Sequence, residues 1–345
     1  MKIAILGPVM TSNYYGGVAT FDEGLSEAFQ QMGHEVLLLT VQQETVKNKA
    51  ITIRQGSYYK IIKTVNRYQP DFIIASLQYG LCFPFMHYGK KILFLHGFFN
   101  VQSYGVIKTM LSVFVTKIIA RYSDVILTNS NFTSMINQRI WNIPSNGVAY
   151  LGLDESFSKN VLVSSANECR KKGQILFVGR LAISKSVDRI LHALSHLEKQ
   201  KIDYHFVVAG DGFEREMLKE LSQKLHLNVS FLGKVSHDDI YRLYKESEVF
   251  ISLGSSEPFG ITYIESLLSG CKIVCPNTGG QVEFLRAYSD RVSFVNPLDT
   301  QDIAHGVKEM LFKTPASLDL EEVSVKFNYK QTGKKIISFY ESIEA

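Results

Sequence analysis

Short apolar runs of strand length alternate with segments of helical period along nearly the whole chain. This alternation is typical of a parallel sheet whose strands are joined by crossover helices. The runs fall into two successive series: Lys2–Leu6, Glu35–Thr40, Asp71–Ser76, Lys91–His96 and Val125–Asn129, then Ile175–Gly179, His205–Ala209, Val229–Leu232, Val249–Leu253, Lys272–Pro276 and Val292–Val295. The pattern therefore predicts two α/β domains, with the ligand site in the crevice between them, outside the carboxyl ends of the strands.

The length supports two domains. A single hydrophobic core stops growing at about 250–300 residues, and the chain has 345. Between the two series, Glu155–Lys172 is polar and rich in Ser, Asn and Lys, so we interpret it as the interdomain linker. Helices are expected at Val187–Lys199, Glu214–Leu225, Asp238–Lys245 and Ile261–Leu268. The apolar and aromatic residues of the ending, from Phe327, predict a docked helix.

Composition and net charge are those of an ordinary globular protein and give no support for nucleic-acid binding. Apolar residues make up 46% and charged residues 20% of the chain, as in an ordinary globular protein. The net charge of +4 is too small to argue for a nucleic-acid partner. Residues 1–150, however, hold 13 basic and 7 acidic side chains, whereas the remainder holds 24 and 26. We therefore expect the first domain to face an anionic partner.

The four cysteines, Cys82, Cys169, Cys271 and Cys275, are scattered. They indicate neither a disulfide framework nor a zinc cluster, and apolar core positions in a reducing compartment explain them best. The N-terminal run reads as a first strand rather than a signal peptide, and no apolar stretch is long enough for a membrane span. We therefore expect a cytoplasmic protein. If it associates with a membrane, we expect it on the inner face.

The densest candidate motif runs from Glu257 to Glu265 after an apolar strand. A strand, a turn containing Gly260 and a helix present the backbone N–H groups of a first helical turn to an anion. The carboxylates of Glu257 and Glu265 suit hydrogen bonds from sugar hydroxyls. The alternative is an acidic helix start that only complements the helix dipole.

Two cations, Arg180 and Lys185, follow the first strand of the second series. A guanidinium fork and an ammonium point charge at a strand end suit a diphosphate. The alternative is that both side chains are solvated or salt-bridged. Gly210, in a Gly-Asp-Gly turn, could approach a ligand or could simply form a turn.

In the first series, Gly16 and Gly17 precede an amphipathic segment and allow close approach of backbone to a ligand. They do not form the Gly-x-Gly-x-x-Gly fingerprint, and no acidic residue ends the second strand at Thr40, so a dehydrogenase is disfavoured. His96 ends a strand where side chains meet the crevice. A histidine satisfied by backbone is the alternative.

Taken together, these motifs resemble the retaining GT-B glycosyltransferases, specifically glycosyltransferase family 4 (glycosyl transferases group 1). The resemblance rests on ten elements in order: Gly16-Gly17, Leu95-His96-Gly97, Ser123-Asp124 with Asn129-Ser130, Gly152-Leu153-Asp154, Val178-Gly179-Arg180-Leu181 with Lys185, Gly210-Asp211-Gly212, Phe231-Leu232-Gly233, Glu257–Glu265, Gly279-Gly280 with Glu283, and Asn296-Pro297-Leu298-Asp299. It implies two Rossmann-like doubly wound domains facing each other across a cleft. The implied acceptor domain comprises residues 1–157 with a crossover helix at 330–345, and the donor domain residues 158–329.

The resemblance also implies a role for each matched residue. Arg180 and Lys185 would bind the donor diphosphate, Glu265 the nucleotide ribose and Glu257 the transferred sugar, with His96 beside the anomeric carbon. The remaining implied donor-binding residues are Gly16, Gly17, Gly210, Gly233, Lys234, Val235, Phe259, Gly260 and Ile261, of which Gly233-Lys234-Val235 would line the base. One departure is visible, because Ser186 stands where the family usually has glycine after the lysine.

The implied reaction moves a sugar from a UDP- or GDP-sugar to an acceptor hydroxyl, in bacterial cell-surface polysaccharide or glycoconjugate synthesis. Departure of the diphosphate leaves an oxocarbenium-like sugar, so stabilising the leaving phosphate matters most. No Asp-x-Asp is present, and we expect neither metal nor cofactor. Retention would come from front-face attack, in which the leaving phosphate oxygen helps to take the acceptor's proton. No general base is assigned.

Two further hypotheses stay open. The chain could be an inactive sugar-nucleotide-binding or partner protein on the same fold, although the presence of Arg180, Lys185, Glu257 and Glu265 favours an enzyme. Separately, Tyr104–Tyr122 mixes apolar residues with Lys108 and Lys117. That pattern suits a helix on an anionic membrane surface, but a buried crossover helix explains it at least as well. The acceptor is expected to be a saccharide or lipid-linked.

Overall fold

A computed structural model describes residues 1–11, 16–46, 48, 51–101, 105–163, 170–254 and 256–344. The chain forms two compact units, and each holds one parallel sheet. Unit 1 consists of Met1–Asp154 together with Phe327–Ala345, and unit 2 consists of Glu155–Lys326. The prediction of two parallel-sheet α/β domains is confirmed.

The sheet of unit 1 contains β1 (Lys2–Leu6), β2 (Glu35–Thr40), β3 (Ile53–Gln55), β4 (Phe72–Ser76), β5 (Lys90–Leu95), β6 (Val125–Thr128) and β7 (Gly147–Val148). The strands lie in the order β3-β2-β1-β4-β5-β6-β7 and pair in parallel. The five longer strands are those predicted. The edge strands β3 and β7 were missed because they are only three and two residues long and contain no apolar run.

The helices of unit 1 before residue 154 are α1 (Gly17–Gln31), α2 (Tyr58–Tyr68), α3 (Val106–Arg121) and α4 (Asn131–Trp141), with a 3₁₀ helix at Leu77–Phe85. Successive strand residues point to opposite faces of the sheet. Ile3 and Ile5 join an apolar cluster with α1, whereas Ala4 and Leu6 join one with α2, the 3₁₀ helix and α3. Those three helical segments therefore form one layer on one face of the sheet.

The sheet of unit 2 contains β8 (Lys171–Val178), β9 (His205–Ala209), β10 (Val229–Gly233), β11 (Ser247–Ile251), β12 (Lys272–Pro276) and β13 (Val292–Val295), in the order β10-β9-β8-β11-β12-β13. All six strands were predicted. Its helices are α5 (Glu155–Val163), α6 (Val187–Lys199), α7 (Arg215–Lys224), α8 (His237–Glu246), α9 (Ile261–Leu268), α10 (Val282–Leu285), α11 (Thr300–Phe312) and α12 (Leu320–Lys326).

Each sheet has one point where the strand order reverses, between β1 and β4 in unit 1 and between β8 and β11 in unit 2. In open α/β sheets, ligands bind outside the carboxyl ends of the strands at this switch point. The loops that follow β1, β4, β8 and β11 are therefore where functional side chains are expected.

The predicted linker Glu155–Lys172 begins at the boundary between the two units, but it belongs to unit 2 rather than connecting the units from outside. Glu155–Val163 is the helix α5 and β8 begins at Lys171, while residues 164–169 lie outside the described part of the chain. Phe157 and Val161 are four residues apart on the buried face of α5. That single apolar stripe gives the helix a packing face despite its polar composition.

The last helix, α13 (Tyr329–Glu344), belongs to unit 1. Tyr329 and Ile336 join the apolar cluster that includes α1. The Thr332 hydroxyl donates to the Tyr150 carbonyl at 2.7 Å, and the Tyr340 ring lies 5.0 Å from that of Phe72. The expectation that the chain's ending docks is thus confirmed.

Three cysteines, Cys82, Cys271 and Cys275, are buried free thiols, as predicted for core positions. Cys169 lies outside the described residues. Within the described ranges, no helix combines the length and the apolar character needed to cross a bilayer.

Candidate functional site

Lys185 and Glu257 form an ion pair at the switch point of unit 2. Lys185 ends a short 3₁₀ helix after β8, and Glu257 lies in the loop after β11. Lys185 Nζ is 2.5 Å from Glu257 Oε2, and 28% and 17% of the two side chains are exposed. The structure thus brings together two predicted site residues that are 72 positions apart. An anion that reaches the Lys185 ammonium must compete with the Glu257 carboxylate.

The loop that carries Glu257 ends at the start of α9. Gly260 adopts a φ of 88°, which favours glycine, and caps the helix. Because Ile261 is the first helical residue, the N–H groups of the first turn and the positive end of the helix dipole lie at this loop. The Gly280 N–H donates to the Glu257 carbonyl at 2.9 Å and fixes the loop from the neighbouring strand end. Ser255 lies outside the described residues.

Glu265 lies one turn into α9 and is held by a buried tyrosine. The Tyr244 hydroxyl donates to Glu265 Oε2 at 2.9 Å. Burial, and next the nearby Glu265 carboxylate, raise the pKa of Tyr244 well above its usual range, so the phenol stays a donor. Glu265 as a residue is half-buried. This arrangement orients a carboxylate that can accept hydrogen bonds from hydroxyl groups.

Arg180 follows β8 in a loop that is hydrogen-bonded to the loop after β9. The Leu181 N–H donates to the Asp211 carbonyl at 2.9 Å, and the Gly210 N–H donates to the Gly233 carbonyl at 2.8 Å. The ends of β8, β9 and β10 thus form one hydrogen-bonded edge. Arg180 is exposed and makes no ion pair with any described residue, so its charge is available to an anion.

The remaining predicted residues of unit 2 differ in exposure. Lys234 is exposed and Val235 half-buried just after β10. Phe259 is only 1% exposed, with its ring 5.2 Å from that of Phe284. Phe259 could therefore serve a ligand only through its backbone.

In unit 1, Gly16 and Gly17 form the start of α1. Gly16 is the N-cap in an extended conformation and Gly17 is the first helical residue. A Cβ atom at Gly17 would meet no described residue within 4 Å. The preceding residues 12–15 lie outside the described part of the chain.

His96 follows β5 and is packed between aromatic rings. The rings of Phe21 and Phe94 lie 4.7 and 4.8 Å from the imidazole. Burial lowers the pKa of His96 to about 3, so the ring is neutral at physiological pH. The predicted alternative, a histidine satisfied by backbone, is wrong, because Nε2 is 2.9 Å from the Ser76 hydroxyl.

Two residues behind His96 were not predicted. Ser76 ends β4, and its hydroxyl donates to Asp22 Oδ1 on α1 at 2.7 Å. Asp22 is fully buried at the switch point of unit 1. One signal in the sequence could have revealed it: Asp22 and Ser26 are polar residues four apart on the apolar face of α1.

Residues 162–326, nearly all of unit 2, match the family model described as "Glycosyl transferases group 1". Unit 2 belongs to this family. The loops that carry Arg180, Lys185, Glu257 and Glu265 therefore lie within a glycosyltransferase domain, and the resemblance seen in the sequence motifs is confirmed at that level. Retention and assignment to family 4 stay predictions.

Two curated relatives match part of the chain. An uncharacterized glycosyltransferase of Methanocaldococcus jannaschii is 32% identical over 139 residues, which are 40% of this chain and 35% of the relative. The alpha-monoglucosyldiacylglycerol synthase of Streptococcus pneumoniae is 29% identical over 170 residues, 48% of this chain and 38% of the relative. The match thus spans little more than a third of each relative.

A solved structure covers nearly the whole chain. HepE of Anabaena, in complex with UDP and glucose, has a TM-score of 0.74 and 17% identity, and the match covers 99% of this chain and 100% of HepE. At this identity the likeness shows the fold alone. The chain has the GT-B fold of two Rossmann-like domains, as predicted.

The Ser186 departure from the group 1 motif has a visible backbone consequence. Ser186 links the 3₁₀ helix of Lys185 to α6 and adopts the left-handed conformation, with φ 52° and ψ 42°. Glycine takes this conformation without steric cost, whereas other residues lose about 1 kcal/mol. The turn that presents Lys185 is therefore kept, with some strain.

We expect Ser186→Gly to stabilise unit 2 by about 0.5 kcal/mol, because relief of the left-handed strain outweighs the added freedom of the unfolded chain. The Ser186 side chain makes no capping hydrogen bond that would be lost. Urea denaturation followed by circular dichroism measures the change. Ser186→Ala, which keeps a Cβ atom, should give no gain; equal gains from both would contradict the strain.

Among the described residues, no group of three His, Cys, Asp or Glu side chains is arranged to hold a metal ion. The expectation of a metal-independent site was drawn from the sequence and stays a prediction.

Proposed function

We propose that this protein transfers a sugar from a nucleotide diphosphate donor, a UDP- or GDP-sugar, to an acceptor hydroxyl with retention of configuration, in the synthesis of a cell-surface polysaccharide or glycoconjugate. The observation that carries the proposal is the Lys185–Glu257 pair, placed at the switch point of a group 1 domain beside the start of α9. The UDP and glucose bound in Anabaena HepE support this class of donor.

The leaving diphosphate is the group that most needs stabilisation, because it gains negative charge as the bond to the sugar breaks. The exposed Arg180, which makes no ion pair with a described residue, and the Lys185 ammonium supply positive charge. The N–H groups at Gly260 and Ile261 add a helix-dipole contribution. These groups suffice for the role that a metal ion would otherwise fill, so the proposed reaction is metal-independent.

The two carboxylates have separate proposed roles. Glu257, paired with Lys185, would accept hydrogen bonds from the transferred sugar, and Glu265, oriented by Tyr244, would hold the ribose. His96 of unit 1 would contact the sugar as a neutral imidazole. Retention would follow from attack on the face that the phosphate leaves, with the phosphate oxygen sharing the acceptor's proton.

The test is nucleotide release from a panel of UDP-, GDP- and dTDP-sugars. Release from at least one donor, lost in Lys185→Ala and Glu257→Ala, is the expected result. Binding of a donor without any release would favour the second hypothesis, an inactive sugar-nucleotide-binding protein. If no donor is bound and both variants match the wild type, the catalytic proposal fails.

We further propose that unit 1 docks on an anionic membrane, which suits a lipid-linked acceptor. The supporting observation is the orientation of α3. Ile107, Leu111 and Phe114 are 87%, 61% and 62% exposed, whereas Thr109 is buried, and its hydroxyl has no hydrogen-bond partner among the described residues. The helix thus packs on the sheet through Val113 and Ile119 but also turns apolar side chains to solvent, which a fully buried crossover helix would not do.

Charge favours a lipid surface over other occupants. Residues 45–123 carry eleven Lys and Arg and a single acidic residue, Asp71. Within the layer of α2 and α3, the exposed cations include Lys60, Lys63, Lys108 and Lys117. Exposed apolar side chains and cations on the same layer of helices fit anionic lipid headgroups. A second copy of the chain would place these like charges against one another.

Sedimentation with vesicles tests this docking. Binding to phosphatidylglycerol vesicles but not to phosphatidylcholine vesicles is expected, with loss in the triple variant Ile107→Ser, Leu111→Ser and Phe114→Ser. Phe312→Ser, at a residue 68% exposed in unit 2, is the matched control and should bind like the wild type. Absence of binding at low salt, or self-association through this face in size-exclusion chromatography, would overturn the proposal.

A further inference from the structure

A chain of hydrogen bonds connects His96 to a buried carboxylate. His96 Nε2 lies 2.9 Å from the Ser76 hydroxyl oxygen, which lies 2.7 Å from Asp22 Oδ1. The three residues come from β5, β4 and α1, and the Asn129 side-chain amide fixes the His96 backbone by donating to its carbonyl at 2.7 Å. The imidazole Nδ1 has no hydrogen-bond partner among the described residues. Nε2 is thus occupied by the hydrogen bond to Ser76, whereas Nδ1 is available to substrate.

Asp22, at the far end of this series of hydrogen bonds, is shielded from water. Asp22 is 0% exposed, and its Oδ2 atom has no hydrogen-bond partner in the described structure. A Cβ atom at Gly7, at the end of β1, would lie 1.9 Å from that oxygen. Burial, with a smaller contribution from Glu23, raises the pKa of Asp22 well above its usual range. A buried carboxylate without further partners is costly to keep charged and is therefore a ready proton acceptor.

The single proton of the Ser76 hydroxyl links the states of the other two groups. When Asp22 is ionised, Ser76 donates to it and must accept from Nε2–H, so His96 presents the Nδ1 lone pair. When Asp22 is protonated, it donates to Ser76, which then donates to Nε2, so His96 presents Nδ1–H. The tautomer of His96 therefore reports the protonation state of Asp22.

We propose that Asp22 and Ser76 are a proton relay behind His96. A substrate hydroxyl loses its proton to Nδ1, Nε2–H passes to the Ser76 oxygen, and the Ser76 proton passes to Asp22 Oδ1. The imidazole ends neutral with its proton on Nδ1, and Asp22 ends as the carboxylic acid. The relay rests on the proposed function. The family resemblance implies the leaving phosphate oxygen as proton acceptor. The relay provides a second proton acceptor, on the protein.

The relay solves the problem that burial creates for His96. As an isolated base, the ring would have to carry a positive charge among Phe21 and Phe94, and burial, which lowers the pKa of His96, disfavours that charge. Transfer to Asp22 ends with both groups neutral. Among the described residues, the other titratable groups nearby are Glu23, on α1, and Tyr329, whose ring on α13 lies 6.1 Å from that of Phe21. Neither is bonded to Ser76 in any hydrogen bond of the described residues.

Nitrogen-15 NMR of the full chain without any donor tests the relay directly. Between pH 4 and 9, we expect His96 to stay neutral and to change tautomer in step with the carboxyl carbon of Asp22. Asp22→Asn and Ser76→Ala should each abolish the change, and Ser76→Thr, which keeps the hydroxyl, should restore it. His205, whose Nε2 lies 2.8 Å from the Ser230 hydroxyl, is a histidine–serine pair for comparison in the same spectrum.

Two results would overturn the relay: an imidazolium signal from His96 in this range, or the same tautomer at every pH in the wild type and in Asp22→Asn. Because no donor is present, either result stands whatever the outcome of the nucleotide-release assay. In that assay, Asp22→Asn should lower kcat by about 100-fold with little change in the KM for the donor. An equal loss through KM would indicate a structural role instead.

Discussion

Lys185→Met is expected to slow nucleotide release by about 100- to 1,000-fold, the usual effect of removing one preorganised charge from a developing anion. Methionine keeps an unbranched apolar side chain, so the turn after β8 should be retained. The Lys185 side chain is only 28% exposed and is held by Glu257, so its ammonium lies in a fixed position rather than a solvated one. Steady-state kinetics on the best donor measures the effect.

Glu257→Gln should separate binding from turnover. The carboxylate neutralises Lys185 before the donor arrives, at an Nζ–Oε2 distance of 2.5 Å, and it repels the incoming diphosphate. Its removal should tighten binding of the free nucleoside diphosphate by up to about tenfold while transfer becomes slower. Lys185→Met should weaken the same binding. Isothermal titration with UDP and GDP distinguishes the two variants.

A matched ion pair serves as the control for these variants. Lys272 Nζ lies 3.2 Å from Glu248 Oε1 at the start of β12 and β11, the opposite end of the same sheet. Glu248→Gln should change the free energy of unfolding but neither nucleotide binding nor release. Equal effects of Glu248→Gln and Glu257→Gln on binding would show that the carboxylates act through stability alone.

Gly210→Ala is expected to destabilise unit 2 by about 3 kcal/mol or more. A Cβ atom there would lie 1.8 Å from the Gly179 carbonyl oxygen, and the φ of 151° disfavours a side chain. That carbonyl has little room to move, because the Gly179 N–H donates to the Ala209 carbonyl at 3.0 Å. The substitution should therefore break the joined edge of β8, β9 and β10 that presents Arg180.

Gly33→Ala is the control for this substitution. Gly33 has a φ of 84°, but a Cβ atom there would meet nothing within 4 Å, so only backbone strain of about 1 kcal/mol applies. Hydrogen exchange measures each effect in the unit that carries the glycine: the β8 and β9 amides of unit 2 for Gly210→Ala, and the β1 and β2 amides of unit 1 for Gly33→Ala. A loss no larger than that of Gly33→Ala would contradict the close approach.

Most of the architecture could be predicted because buried parallel strands leave continuous apolar runs. All the strands with such runs were found, whereas β3 and β7 pair at a sheet edge for only a few residues. Helix α5 was missed because only Phe157 and Val161 mark its buried face. Short elements stabilised by tertiary packing leave little periodic signal.

The site was predicted less completely because its chemistry joins distant positions. Motif spacing identified Lys185 and Glu257, but only the sheet order brings their loops to one switch point. Asp22 and Ser76 are 54 residues apart and belong to no recognised motif. The sequence indicated Asp22 only as a polar residue on the apolar face of α1. Its partner Ser76 became apparent only from the pairing of β1 with β4.

Hydrogen–deuterium exchange with and without a nucleotide sugar tests whether unit 2 binds the donor at its switch point. We expect slower exchange within residues 179–186 and 256–262 for at least one UDP-, GDP- or dTDP-sugar, and loss of this protection in Lys185→Met. No change with any donor would contradict this expectation. So would protection confined to unit 1, for example at the basic pocket lined by Lys60, Lys63 and Arg67.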